Sequence, residues 1–146
     1  MAVMPPQHEH QPMTRLLHVS APGFVLVVLG GCAAASAAAP VTLELRELND
    51  SGVSGTVTMT TIDEGHTLVE VDVDAAGHSD MPAHIHPGTC ANLVPQPEYA
   101  LQSVIDGRSS TTVPASLDEL LSGDQALNIH MSNEHMDLYS ACGDLS

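Results

Sequence analysis

The sequence predicts an all-β domain, either an antiparallel sandwich or a barrel. Several short stretches alternate apolar with polar residues, which is the period of a strand that buries one face. Clusters of Gly, Asn, Asp and Ser separate these stretches at fairly even intervals. Short, evenly spaced strands divided by such turns are typical of antiparallel sandwiches and barrels.

Three strands are expected in the first part of the domain. Residues 41–48 alternate, and residues 49–52 form a turn cluster. Residues 53–62 are rich in Thr and Val, which strands favour. Asp63-Glu64-Gly65 then predicts a hairpin turn, and residues 67–73 alternate again. On that third strand, one face is expected to carry Val69, Val71 and Val73, and the other Leu68, Glu70 and Asp72.

The next expected strand carries a His-x-His motif. His84 and His86 alternate with Ala83 and Ile85, and we expect Pro87-Gly88 to end the strand. A loop with His78 precedes it, and a long connection over residues 87–106 follows it. A connection this long is usually functional or pinned, and Cys90 would pin it.

Three further strands and one short helix complete the prediction. The strands are expected at residues 109–113, 125–131 and 139–143. Residues 114–121 are expected to form one or two helical turns, because Ser116 is a suitable N-cap with Glu119 three residues later.

The N-terminal region has the features of an export signal. An apolar run over residues 24–29 leads into Gly30-Gly31-Cys32, and Leu29 to Cys32 resembles a bacterial lipobox, whose cysteine becomes lipid-modified. The alternative is a signal peptide without lipid, cut within residues 33–39. The resulting division is a signal peptide at 1–32, an Ala-rich tether at 33–40 and the folded domain at 41–146.

The position of the start codon affects this signal. Residues 1–12 are rich in His, Pro and Gln and contain no positive charge. A start at Met13 would place Arg15 in a short positive n-region, as signal peptides require. We therefore expect a true start at Met13 and a protein anchored by lipid to the outer face of a bacterial cell membrane.

Export predicts the state of the cysteines. With Cys32 in the leader, Cys90 and Cys142 remain as an even pair in an oxidising compartment, where a disulfide is expected. In the chain-entropy model, closing so long a loop stabilises a fold by roughly 3–5 kcal/mol. This matters for a domain with so few aromatic residues to fill its core.

The charge balance excludes two classes of partner. The formal net charge is −15, and the 146-residue chain contains no lysine. After Cys32 the only cations are Arg46 and Arg108. Such a chain repels nucleic acid and anionic lipid, so membrane contact is expected only through the lipid anchor.

Two histidines on one strand face are the first indication of a metal site. Successive side chains of a strand point to opposite faces, so His84 and His86 share a face. His130 ends another alternating run, in which it shares a face with Asn128. Imidazole nitrogens suit copper and zinc, and the three histidines are therefore candidate ligands.

Other residues near these segments are weaker candidates. His135 and His78 lie in expected loops, where each either supplies a fourth ligand or has no role. His66, beside a turn, is interpreted as a surface residue. Thioether sulfur suits Cu(I), although methionine more often fills cores. The methionines concerned are Met81, Met131 and Met136.

The order of these motifs resembles the copper/zinc superoxide dismutases. The ordered set is His84-x-His86, Cys90, His130 and Ala141-Cys142-Gly143, and it spans roughly residues 41–145. The resemblance implies a Greek-key β-sandwich or barrel of about eight strands. It also implies copper ligands at the three histidines and a disulfide between Cys90 and Cys142.

Two departures from the family pattern matter for function. No histidine lies between Cys90 and His130, where the family has its bridging histidine and zinc ligands, so copper without zinc is expected. The family also has an arginine three residues before the second cysteine, which guides superoxide to copper. Here that position is Tyr139, and Arg108 is the candidate substitute.

Three functions remain compatible with the sequence. The first is an exported copper protein that dismutates superoxide at a mononuclear site. The second is a non-catalytic envelope protein that binds copper for buffering or delivery. The third is a metal-free sandwich that presents a binding surface, with histidines that are only structural. The expected partners are accordingly superoxide or copper ions.

Overall fold

The computed structural model describes residues 38–146. The predicted signal peptide, the predicted lipobox with Cys32, the predicted start at Met13 and most of the predicted tether lie outside the described residues. Residues 38–40 are irregular and lead directly into the first strand. Within the described range, no helix has the length and apolar character needed to cross a membrane.

The described residues form eleven strands and one short helix. They are β1 Val41–Glu47, β2 Ser54–Asp63, β3 His66–Asp74, β4 Asp80–Met81, β5 Ala83–Thr89, β6 Asn92–Leu93, β7 Tyr99–Ala100, β8 Val104–Ile105, β9 Arg108–Val113, α1 Leu117–Ser122, β10 Gln125–Ser132 and β11 His135–Asp144. The predicted all-β class is therefore confirmed, and each strand expected from alternation is present.

The strands form one antiparallel sheet that curls into a half-barrel. Their order is β4-β8-β9-β3-β2-β1-β11-β10-β5-β6, with β7 also pairing β5. β1 is the corner, because its residues 41–45 pair with β2 while Arg46 and Glu47 pair with β11. On either side of β1, the sheet has one half with β4, β8, β9, β3 and β2 and another half with β11, β10, β5 and β6. The connections from β3 to β5, from β5 to β9 and from β9 to β10 cross from one half to the other, as Greek-key connections do.

The core lies on the concave side of the curled sheet. On β3, Val69, Val71 and Val73 are buried while the residues between them point outward, as the alternation predicts. On β5 and β10, Ala83, Ile85, Leu127 and Ile129 join the same core. The intervening residues of these two strands consequently face the convex side, and this places the histidines there.

Helix α1 closes one end of the core. The Ser116 hydroxyl accepts a hydrogen bond from the Glu119 amide at 3.1 Å, so the predicted N-cap is confirmed. Leu117 and Leu120 are the buried residues of the helix.

The prediction that Pro87-Gly88 ends the His-x-His strand is wrong, since β5 continues to Thr89. The Pro87 carbonyl accepts from the Val94 amide at 2.8 Å, and the Gly88 amide donates to the Asp124 carbonyl at 2.7 Å. Gly88 has a φ of 100°, which glycine adopts readily. Pairing through the proline carbonyl thus outweighs the local turn signal.

The last strand is longer than predicted. β11 begins at His135 rather than at residue 139, so His135 lies at a strand end and not in a loop. A tight turn at Asn133 and Glu134 joins β10 to β11, and Ser132 pairs with His135. The pairing shifts register on either side of His130. Such bulges bend a strand and change the direction of its side chains.

Candidate metal centre

Strands β5 and β10 bring three histidines to one point on the convex face. In their antiparallel register Asn128 lies opposite His84, and Ala126 lies opposite His86. His130 is two residues beyond Asn128 on the same face. One nitrogen of each of the three rings lies within 4.8 Å of the other two. The group therefore has the geometry to hold a metal ion.

The His86 ring is fixed by a backbone carbonyl. Its Nδ1 lies 2.8 Å from the Val94 carbonyl oxygen, which only accepts hydrogen bonds, so Nδ1 carries the proton. Nε2 is therefore the unprotonated nitrogen. It is buried and makes no hydrogen bond with any described residue. An oriented, unprotonated nitrogen is the form in which histidine binds metals.

The His130 ring is held in the same way. Its Nδ1 donates to the Met136 carbonyl at 2.6 Å, which leaves Nε2 unprotonated. The bulged hairpin between β10 and β11 supplies this carbonyl. The Tyr139 ring packs edge-on against His130, with ring centroids 5.1 Å apart. The His130 side chain is thus oriented by contacts on two sides.

The His84 ring faces the cluster with Nδ1, whereas His86 and His130 face it with Nε2. Its Nδ1 lies 3.0 Å from His130 Nε2, and since that Nε2 is unprotonated, Nδ1 donates to it. His84, His86 and His130 could hold a metal ion at this point through Nδ1 of His84 and Nε2 of the other two rings. The proton would then leave Nδ1 of His84, and the ring would stay neutral by carrying a proton at its Nε2 instead. The His84 and His86 ring centroids are 5.7 Å apart.

Burial favours the metal-binding form of the histidines. Desolvation lowers the pKa of His84, and the nearby His130 and His86 lower it further. Desolvation also lowers the pKa of His130, opposed in part by its bond to the Met136 carbonyl. Both rings are therefore neutral at pH 7, as metal ligands must be.

A disulfide anchors the loop that orients His86. Cys90 and Cys142 are bonded, with Cα atoms 5.9 Å apart, so the predicted pairing is confirmed. The Cys90 amide also donates to the Asp144 carboxylate at 2.7 Å. Val94 follows four residues later in the same loop, so the disulfide lies close to the carbonyl that holds the ring.

The weaker candidates lie outside this group. His135 is exposed at the start of β11, and His78 lies in the loop before β4. Met81 is fully buried in the core. Met136 is 40% exposed, and its backbone carbonyl rather than its sulfur contacts a ring. Met131 is half-buried.

Both arginines in the described part of the chain are paired with carboxylates. Arg46 lies 3.4 Å from Glu44, and Arg108 lies 3.3 Å from Asp72. Arg108 belongs to the half of the sheet that does not carry the histidines, so the structure does not support it as a substitute guide. Tyr139, for which the resemblance implies an arginine, packs its ring against His130 of the cluster.

Sequence reasoning missed the groups that orient the cluster. The carbonyls of Val94 and Met136 carry no sequence signal, because every residue has one. The sequence predicts for Asn128 only that it shares a strand face with His130. It is fully buried, and neither end of its amide forms a hydrogen bond with a described residue.

No protein-family model matches the sequence, and no curated protein matches it. The family assignment therefore stays a prediction that rests on the ordered motifs.

Proposed function

We propose that this chain is an exported copper protein that resembles the superoxide dismutases and dismutates superoxide at a mononuclear site. One observation carries the proposal: three imidazole nitrogens converge within 4.8 Å. Carbonyls fix the tautomers of His86 and His130, so these two nitrogens are oriented before any ion binds.

The donor set suits copper. Among divalent ions of the first transition row, copper binds nitrogen sites most strongly, and imidazole is one of its usual ligands. Three protein ligands leave a coordination position open to a small molecule. A zinc site of the family type is not proposed, because its histidines are missing between Cys90 and His130.

The protein and the ion have separate roles in this proposal. Copper, when bound, supplies one-electron chemistry by cycling between Cu(II) and Cu(I). His84, His86 and His130 hold the ion, and the Tyr139 ring packs against His130 from β11. The net charge of −15 slows the approach of an anion, so we expect a slow dismutase.

A non-catalytic role in copper buffering or delivery is the second candidate. The observation that favours it is the uncharged Tyr139 ring against His130, at the position where the resemblance implies a cationic guide. Such a protein would bind the same ion with the same histidines but would not turn over superoxide.

Superoxide turnover by the copper-loaded protein tests the proposal. Stopped-flow decay of superoxide should accelerate with loaded wild-type protein and not with loaded His84→Ala/His86→Ala protein. A wild-type protein that binds one copper ion per chain without accelerating the decay would support the non-catalytic role. A wild-type protein that takes up no copper would contradict both candidates.

The proposed location is the outer face of a bacterial cell membrane, with Cys32 as the lipid-modified residue. Wild-type protein should then fractionate with membranes, and Cys32→Ser protein should not. Mass spectrometry of the mature N-terminus separates this outcome from a signal peptide cut within residues 33–39 without lipid.

A further inference from the structure

Asn128 is buried at a cost to the fold. Its exposure is 0%, yet Oδ1 and Nδ2 make no hydrogen bond within the described chain. A buried amide without partners destabilises a protein, and an apolar side chain of similar size avoids that cost. Groups that break such a rule are expected at functional sites.

The position of Asn128 links it to the histidine cluster. It lies opposite His84 on the neighbouring strand, and it precedes His130 by two residues on the same face. The next outward pair along the ladder is Ala126 with His86. The Asn128 side chain therefore starts next to His84 and His130 on the face of the sheet that carries the cluster.

The amide oxygen of Asn128 and the metal-facing nitrogen of His84 are the same number of bonds from their backbones. His84 presents Nδ1, two bonds beyond its Cβ, and Asn128 Oδ1 is also two bonds beyond its Cβ. Directly opposed Cβ atoms are about 4.5–5.5 Å apart. Asn128 Oδ1 is consequently within reach of an ion bound at His84 Nδ1.

We propose that Asn128 Oδ1 is a fourth, weak oxygen donor on the inner side of the copper site. The inference rests on the proposed copper binding. An amide oxygen is a hard donor, which favours Cu(II), whereas soft sulfur donors favour Cu(I). Asn128 therefore stabilises the oxidised ion more than the reduced one.

The test compares Cu(II) and Cu(I) affinity in Asn128→Leu protein. We expect the Kd for Cu(II) to rise about tenfold or more, in the range of losses at supporting metal-site residues. The Kd for Cu(I) should change by less than about threefold. A tenfold loss confined to Cu(II) raises the copper potential by about 59 mV, which voltammetry measures independently.

Two further variants make the comparison specific. Gln125→Leu is the matched control, because Gln125 is on the same strand and its Oε1 is also buried without a partner, but it pairs with Pro87 outside the cluster. It should leave both affinities unchanged. Asn128→Asp keeps an oxygen donor and should bind Cu(II) at least as tightly as wild type. All proteins carry Cys32→Ser, so that the thiolate of Cys32 binds no Cu(I).

The outcomes separate this inference from the copper site itself. The inference is supported if Asn128→Leu loses Cu(II) affinity but keeps its Cu(I) affinity, and if the metal-free variant melts at or above the temperature of wild type. Unchanged affinities for both ions would overturn it and leave the three-histidine site standing, as would equal losses accompanied by a lower melting temperature. Weaker Cu(II) binding by Asn128→Asp would also overturn it. Absence of copper uptake by wild type would remove the proposed function and this inference together.

Discussion

Removing the Cys90–Cys142 disulfide should cost the domain a large part of its stability. The bond closes a loop with a sequence separation of 52 residues. In the chain-entropy model, a loop of this length restricts the unfolded chain by about 4 kcal/mol. Whole domains are stable by only about 5–15 kcal/mol, so the Cys90→Ala/Cys142→Ala protein should be near its limit.

Urea unfolding measures this effect. For a small protein whose free energy of unfolding falls by about 1–3 kcal/mol per molar urea, the loss lowers the midpoint by roughly 1–4 M. Reduced wild-type protein is the control, because it lacks the bond but keeps both sulfur atoms. The reduced and substituted proteins should unfold at similar midpoints.

A midpoint shift below about 0.3 M in both proteins would refute the reasoning. It would mean that the disulfide does not restrict the unfolded chain, or that removing it stabilises the native state as much as the unfolded state. A large shift in the substituted protein alone would assign the effect to packing at the nearly buried Cys142.

Three further predictions concern pH and charge. Because burial holds the pKa of His84 and His130 below the ordinary 6.5, the unfolded chain binds more protons than the folded one as pH falls below about 6.5. The free energy of unfolding of the metal-free protein should therefore drop below that pH, and it should drop less in His84→Ala protein. Urea titrations in which this free energy falls equally with pH in both proteins would contradict the prediction. Tyr139→Arg should raise the superoxide rate, within the roughly 10–10³-fold range of steering effects, and an unchanged rate would contradict the role given to Tyr139. Added salt should raise the wild-type rate by screening a net charge of −15, whereas a falling rate would indicate an attractive patch.

The strand faces could be predicted from the sequence because side chains alternate with a fixed period of two. That rule placed Val69 and Val71 on one shared face, which is buried in the core, and His84 and His86 together on another, where they join the cluster. The strand ends were less predictable. Pro87-Gly88 carries a strong local turn signal, but bonds to Val94 in the following hairpin and to Asp124, which is distant in sequence, keep it in the strand.

The histidines of the candidate site could be predicted from the sequence, but the ring nitrogens that they present and the burial of Asn128 could not. The His-x-His spacing and the alternating run to His130 indicated which rings would meet. The choice of ring nitrogen depends on the carbonyls of Val94 and Met136, which loops bring into place. The burial of Asn128 is likewise a tertiary effect, so its unpaired amide became visible only in the structure.

Copper bound per chain is the most direct test of the account. Wild-type, His84→Ala/His86→Ala and His66→Ala/His78→Ala proteins, all with Cys32→Ser, would be loaded with copper, desalted and analysed for metal. The last protein is the matched control, because it loses two imidazoles outside the cluster. The account predicts one copper ion per chain in the wild type and the control. It predicts none in the His84→Ala/His86→Ala protein, whose circular dichroism should remain that of a folded β domain. Equal copper in all three proteins would place the ion elsewhere and contradict the account.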